Sequence, residues 1–324
     1  MDSIRILHAS DLHIARKEGI KSLIEPRSAR QVLKSIKDRA LATSYDASIL
    51  QSFADFVRAQ RSLDAILLTG DIATTGSYED LIAAHRFVRG TTTPWFSGSF
   101  RIFSEPSLAG SEVPLWLLPG NHDRFIPNKL VGFAPGSREF HDVFQGMWDN
   151  DVRTYQTISR GDCSVTIIGA DLSLRNLRDC GFKPWNMYAQ GSARPDIVES
   201  LEEATAQARK ASDSRNTLVL WAIHFPPKYP GLSPRMKLLQ SDAIIAAANR
   251  SGVRAVLTGH THDGLEYRKP MMDFDVLCAG TASEFLSKHG NHFQILNIQN
   301  GKLRVEHYKF NREHAGFQHA YTTA

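Results

Sequence analysis

The sequence predicts an α/β protein with largely parallel strands. Three observations carry that expectation: short apolar, β-branched runs recur along the chain, amphipathic helical stretches lie between several of them, and the runs end in polar or glycine-containing turns. The strand-length runs cover residues 4–7, 65–68, 115–118, 165–168, 218–223, 255–257 and 274–277. A helical period is expected over 48–59, where Leu50, Phe53, Phe56 and Val57 share a face, and over 78–88, 197–208 and 241–249. After Phe274 the pattern turns to strands alone. Runs at 293–298 and 303–308 flank the turn Gln299-Asn300-Gly301, which predicts a second sheet or an antiparallel edge.

Residues 91–114 and 176–191 are rich in turn formers and aromatics and read as insertions; 225–234 reads as a loop. With no repeat, low-complexity tract or clear linker, residues 1–324 are expected to form a single domain. No apolar run is long enough to span a bilayer, and MDSIRILHAS has no basic leader with an apolar core behind it. The three cysteines, Cys163, Cys180 and Cys278, are scattered and odd in number, so they read as buried small residues in a reducing cytoplasm. A net charge of +4 gives no argument for nucleic acid as the partner.

The chemistry gathers where strands end. The first strand runs into Ser10-Asp11-Leu12-His13, the second into Gly70-Asp71, and the third into Gly120-Asn121-His122-Asp123. His224 closes the run 218–223, and Gly259-His260-Thr261-His262 follows 255–257. Ligands in open α/β sheets bind at the carboxyl ends of strands, so these turns are expected to converge. Two carboxylates buried together repel, and cations relieve that repulsion. Two divalent ions against two carboxylates and a bridging hydroxide leave about +1, which suits an incoming phosphate oxygen. Imidazole, carboxylate and amide donors without thiolate suit Mn, Fe, Co or Zn.

These five motifs, in order from residue 11 to residue 262, resemble the signature of the calcineurin-like metallophosphoesterases. The resemblance implies a four-layer α/β/β/α sandwich of two mixed sheets flanked by helices. It also implies that Asp11, His13 and His262 hold one metal, that Asn121, His224 and His260 hold the other, and that Asp71 bridges. His122 is then left as general acid, or as a donor to the phosphoryl oxygens, and a metal-bridging hydroxide attacks phosphorus in line. The implied cofactor is a pair of divalent ions and the implied partner is a small phosphoester, a nucleotide among the candidates.

Within the superfamily, Gly70-Asp71-Ile72-Ala73 lacks the extension carried by the serine/threonine phosphatases, and no tyrosine follows Asp71 closely enough to match the purple acid phosphatases. The motifs, with His224-Phe225-Pro226-Pro227, look most similar to the bacterial cyclic-nucleotide-type (class III) phosphodiesterases. A phosphomonoesterase or a DNA-end nuclease is the alternative reading, and a scaffold without catalysis is disfavoured because every motif residue is present.

Some residues carry two readings each. His8 either orients a ligand or is a satisfied core histidine; Asp123 either holds His122 or caps a turn; Asp171 either faces the site or serves a turn. The basic stretch 16–39 reads as a solvated helix face or as a rim that attracts phosphate. Trp185 and Tyr188, or Phe225 and Tyr229, either pack or stack on a base. His85, His141, His289, His292, His307, His314 and His319 show no partner pattern and read as ordinary.

Overall fold

The computed structural model describes residues 3–15, 45–90, 95–97, 100–102, 107–109, 111–128, 132–134, 138–175, 189–212, 216–283 and 290–323. The chain opens with β1 (Ile4–Ala9), α1 (Ala47–Ala59), β2 (Ala65–Thr69) and α2 (Tyr78–Arg89). A hairpin of β3 (Trp95–Ser97) and β4 (Phe100–Ile102) precedes β5 (Leu115–Leu118), and another of β6 (Ile126–Asn128) and β7 (Gly132–Ala134) follows it. Next come α3 (Glu139–Val143), β8 (Val152–Thr154), β9 (Ile158–Arg160) and β10 (Cys163–Ala170). β11 (Gly191–Ser192) leads to α4 (Pro195–Ala211), β12 (Asn216–Ile223), β13 (Leu238–Leu239) and α5 (Ser241–Arg250). β14 (Ala255–Thr258), β15 (Leu265–Tyr267) and β16 (Asp275–Cys278) precede the tail, β17 (His292–Gln299), β18 (Lys302–Asn311) and β19 (Gly316–Thr323).

Local chemistry accounts for the helix ends. The Asp46 carboxylate accepts the N–H groups of Ser48 and Ile49 at the start of α1, and Ser77 accepts that of Asp80 in α2. Gly90, with φ of 82°, closes α2 in a conformation open mainly to glycine. Pro195 stands in the first turn of α4, where its missing N–H costs nothing.

Among the described residues the strands form two mixed sheets, beside the two hairpins and the short parallel pair β11-β13. One runs β19-β18-β17-β1-β2-β5, with β1, β2 and β5 parallel and the tail antiparallel beside β1. The other runs β15-β16-β14-β12-β10-β8, with β9 also on β10; its four central strands are parallel and the flanking β15, β8 and β9 antiparallel. The parallel expectation therefore holds for the two centres only. The tail is an antiparallel extension of the first sheet, not a sheet of its own. β8, β9, β15 and β19 were not legible, being short or polar on the exposed face.

Period-two alternation sorts the second sheet's side chains into two layers. Val165, Ile167, Leu220, Ala222, Ala255, Leu257 and Leu277 join the core shared with the first sheet and with α1 and α2. Their neighbours Ile168, Val219, Trp221, Val256 and Val276 pack with Ile197, Leu201, Ile244 and Ala248 from α4 and α5. Helix, sheet, sheet and helix stack in that order, the four-layer sandwich expected. Cys163 and Cys278 are buried free thiols, whereas Cys180 lies outside the described residues. The stretch 16–39, most of 91–114 and residues 176–188, with Trp185 and Tyr188, also lie outside them, as does His289. Among the described residues no helix is long and apolar enough to cross a membrane.

Candidate metal centre

The five motif turns converge at the carboxyl ends of β1, β2, β5, β12 and β14. β1 and β2 run side by side in parallel, which sets Asp11 beside Asp71: the Asp11 N–H donates to Gly70 O (3.0 Å) and the His13 N–H to Asp71 O (2.9 Å). Gly259 N–H donates to His224 O (3.0 Å), and the His260 N–H donates to Asp11 Oδ2 (2.9 Å), joining the two sheets at this point.

Five of the seven expected ligands, Asp11, His13, Asp71, His260 and His262, have left-handed backbones, with φ from 47° to 71°. Non-glycine residues seldom adopt this region, and such strain concentrates at functional sites. Two glycines make the close approach possible. A Cβ on Gly120 would overlap Asp71 Oδ1, and one on Gly259 would overlap Ser10 Oγ.

The donor atoms fall into two groups sharing a carboxylate. In the first, Asp11 Oδ1 lies 3.4 Å from His262 Nε2 and 3.8 Å from His13 Nε2, and the two imidazole nitrogens face each other at 3.0 Å. In the second, His224 Nε2 lies 3.2 Å from Asp71 Oδ2 and 3.2 Å from Asn121 Oδ1, and His260 Nδ1 is 3.0 Å from the same amide oxygen. Asp71 also clusters with His13 and His122, so it reaches both groups.

Backbone carbonyls fix which nitrogen is free. A carbonyl only accepts, so His224 Nδ1–H donates to Thr69 O (2.7 Å) and His260 Nε2–H to Met236 O (3.0 Å). The remaining lone pairs of both rings then point at Asn121 Oδ1, itself an acceptor when its amide NH₂ faces away. With both rings neutral these acceptors need a cation between them; without one, Asp71 holds a proton on His224 in its place. Asp11 Oδ1 is buried with the imidazoles of His262 and His13 near it, at 3.4 and 3.8 Å. The residues fit a pair of divalent ions.

Electrostatics agree with that fit. Burial penalises the charge of both Asp11 and Asp71, yet the neighbouring histidines hold both carboxyls below their ordinary value, Asp11 at about 2. Burial also disfavours a charged His224, but the carboxylate of Asp71 overrides it and raises the imidazole to about 9. Burial, then the neighbouring histidines, push His13 and His260 down, His260 to about 3. The pocket thus attracts positive charge beside Asp71 and keeps His13 and His260 neutral, as ligands must be, while His224 would give up its proton to a bound ion.

His122 lies at the edge of these groups, its ring 4.7 Å from that of His13. Its ring is half-buried, its Nδ1–H donates to Thr74 O (2.8 Å), and its Nε2 faces inward, 4.0 Å from Asp71 Oδ2. Asp123 does not hold His122, contrary to one of its two expected roles. Its carboxylate instead accepts the N–H groups of Gly120 (2.8 Å), Ala73 (2.8 Å) and Ile72 (3.2 Å), clamping two motif turns together. Burial and the charge of Asp71 push that carboxyl up to about 7 despite these three donors. His8 touches no expected ligand. It accepts from Gln294 Nε2 (2.7 Å) and donates to Thr69 Oγ1 (2.8 Å), a satisfied core histidine one residue removed from His224.

Asp171 faces Arg124, whose Nε and Nη2 donate to its Oδ2 at 2.9 and 2.6 Å, and it also accepts the Ser173 N–H (2.9 Å). Phe225 is buried and packs on His260, with ring centres 4.8 Å apart, while the Tyr229 hydroxyl donates to Asp263 (3.3 Å). Sequence reasoning missed the carbonyls of Thr69, Thr74 and Met236 as orienting groups, because no side-chain pattern marks a carbonyl. It also missed Thr281, whose hydroxyl donates to Asp11 O (2.7 Å).

A family model described as calcineurin-like phosphoesterase matches residues 4–264. A search of curated proteins finds no match. Among solved structures, a dimetal phosphatase from Danio rerio is 14% identical, with 94% of this chain and 95% of that one covered at a TM-score of 0.56. GAP50, an anchor in the inner membrane complex of Plasmodium, is 12% identical, with 100% of this chain and 88% of that one covered at a TM-score of 0.57. At such identities the likeness is one of fold.

Proposed function

Since the chain belongs to the calcineurin-like phosphoesterase family, we propose that it is a two-metal hydrolase of phosphodiesters, with cyclic nucleotides among the candidate substrates. The observation that carries this reading is the convergence of imidazole, carboxylate and amide ligand atoms in one buried pocket: Asn121 Oδ1 and Asp71 Oδ2 beside His224 and His260, and Asp11 Oδ1 beside His13 and His262. Asp11, His13 and His262 would hold one ion and Asn121, His224 and His260 the other, with Asp71 between them. When bound, such ions polarise a phosphoryl oxygen and lower the pKa of water enough for attack at neutral pH. Mn, Fe, Co or Zn suits the donors.

The protein's own part is positioning and proton delivery. Thr69 O and Met236 O hold His224 and His260 in the tautomers that present lone pairs inward. His122, anchored through Nδ1 on Thr74 O, directs Nε2 into the site, where in its protonated form it supplies the leaving oxygen with a proton. A site of about +1 matches the single negative charge of a diester, which is the ground for the diester reading.

The experiment strips the protein of metal, titrates Mn back, and compares bis-p-nitrophenyl phosphate with p-nitrophenyl phosphate, cyclic nucleotides and single-stranded DNA. Uptake of about two ions with faster diester cleavage is expected. Preference for the monoester or for DNA would replace the diester reading, and no uptake of metal would remove the two-metal reading itself.

A further inference from the structure

His292 and His307 lie beyond the segment that matches the family model, on β17 and β18, and both are buried. They are paired, contrary to the ordinary reading given to them above. The Gly280 N–H donates to His292 Nδ1 (3.1 Å), which leaves the proton of the neutral ring on Nε2. That Nε2–H donates to His307 Nδ1 (3.0 Å). His307 Nε2 then faces Thr323 Oγ1 (3.5 Å) and Glu266 Oε2 (4.0 Å). The tautomers therefore run in one direction, from the Gly280 amide to the edge of the sheet.

The near end of this chain lies under the His262 turn. A Cβ on Gly264 would occupy the space of the His292 ring, so the turn rests directly on the imidazole. Gly280 is pressed between the two: a Cβ there would sit 3.1 Å from His292 Cβ and 3.3 Å from His262 O. The same stretch reaches the other arm of the first donor group. Thr281 takes the His292 N–H on its carbonyl (2.8 Å) and gives its hydroxyl to Asp11 O, while Ser283 Oγ donates to Leu12 O. The His292 imidazole thus supports the turn that carries His262 directly, and its main chain holds Thr281, which bonds the turn carrying Asp11 and His13.

We propose that His292 is a positioning residue for the Asp11–His13–His262 donor group, supplied by the tail rather than by the matched segment; the assignment of that group to an ion rests on the two-metal reading. Such outer partners of ligands are typically worth about 10–100-fold in metal affinity. The two donor groups differ in this support, because the second is oriented by Thr69 O and Met236 O.

The test uses the full chain with His292→Ala and His292→Gln. In Mn titrations followed by calorimetry, His292→Ala should weaken one of the two ions about 10–100-fold and leave the other near wild type. His292→Gln can accept the Gly280 N–H through its amide oxygen and still donate to His307, so it should recover most of the loss. Amide exchange on the metal-free chain gives a reading independent of any ion: Gly280 should exchange faster in His292→Ala and near the wild-type rate in His292→Gln. Unchanged ion affinities in His292→Ala, equal weakening of both ions without rescue by Gln, or an unchanged Gly280 amide would each overturn the proposal. Wild-type protein that takes up no Mn would overturn the two-metal reading, and the proposed role toward an ion with it.

Discussion

The backbone N–H of His122 donates to Asp71 Oδ1 at 2.8 Å, while the imidazole of the same residue turns to the Thr74 carbonyl. The contact between the proposed acid and the proposed bridging carboxylate is therefore made by main chain, and removing the side chain leaves it in place.

His122→Ala should accordingly retain both ions yet lower turnover by roughly 10²–10⁴. The loss should be smaller for a p-nitrophenyl ester, whose leaving group departs without a proton, than for an alkyl ester such as a ribose oxygen. Rates for both esters in wild type and variant decide it; an equal loss on both would leave His122 a positioning or electrostatic role.

Asp71→Ala should cost more metal than His13→Ala or His262→Ala, since Asp71 clusters with members of both donor groups. Two cations ~4 Å apart without the carboxylate between them repel strongly, so at least one should be lost. Elemental analysis after equilibration with Mn is the measurement. Retention of both ions would end the bridging assignment.

Gly120→Ala places a methyl group against Asp71 Oδ1 and the Asp71 amide nitrogen. Backbone cannot yield as a flexible side chain can, so a loss of about 1–3 kcal/mol is expected with weaker metal binding. Gly316→Ala, whose nearest atom would be 3.6 Å away at His314 O, is the control and should lie within ~0.5 kcal/mol of wild type. Urea unfolding of the metal-free proteins compares them.

Acid should destabilise the metal-free chain well above the range of ordinary carboxylates. Burial holds the imidazoles of His8 and His292 at about 3 in the folded chain, against 6.5 for a free histidine. Above pH 6.5 neither state takes the proton, and between 6.5 and 3 only the unfolded state does. The contribution of these two histidines is thus full above this window and falls as pH drops through it, by up to about 1.4 kcal/mol per pH unit for each, against an opposite contribution from the raised carboxyl of Asp123. Unfolding midpoints on either side of pH 6.5 should diverge more in wild type than in His8→Gln; equal pH slopes would count against a neutral buried His8.

The motif residues and the strands that precede them could be read in the sequence because strand ends alternate apolar runs with fixed polar turns. Asp11, Asp71, Asn121, His224, His260 and His262 come together because parallel strands share a carboxyl end. The supports could not be read. Met236 O reaches His260 through a loop whose path depends on β13 pairing with β11, a tertiary fact without local pattern. The pairing of His292 with His307 likewise follows from the antiparallel register that places Gln294 opposite His307. Of the two roles open to Asp123, holding His122 or serving a turn, the structure shows the second, with a carboxylate that spans to the β2 turn in space.

β1 lies between β2, its parallel partner, and β17, its antiparallel one, with Ile4 opposite Ile298. β1 and β17 are far apart in sequence, so the second flank of β1 closes only after β17 has been made. Until then β1, which carries Asp11 at its end, has an open edge able to pair with another chain. Contacts of such sequence separation slow folding. A fragment cut at the end of the family match would keep every expected ligand and still lack the strand that seals β1, so it should aggregate rather than assemble the site.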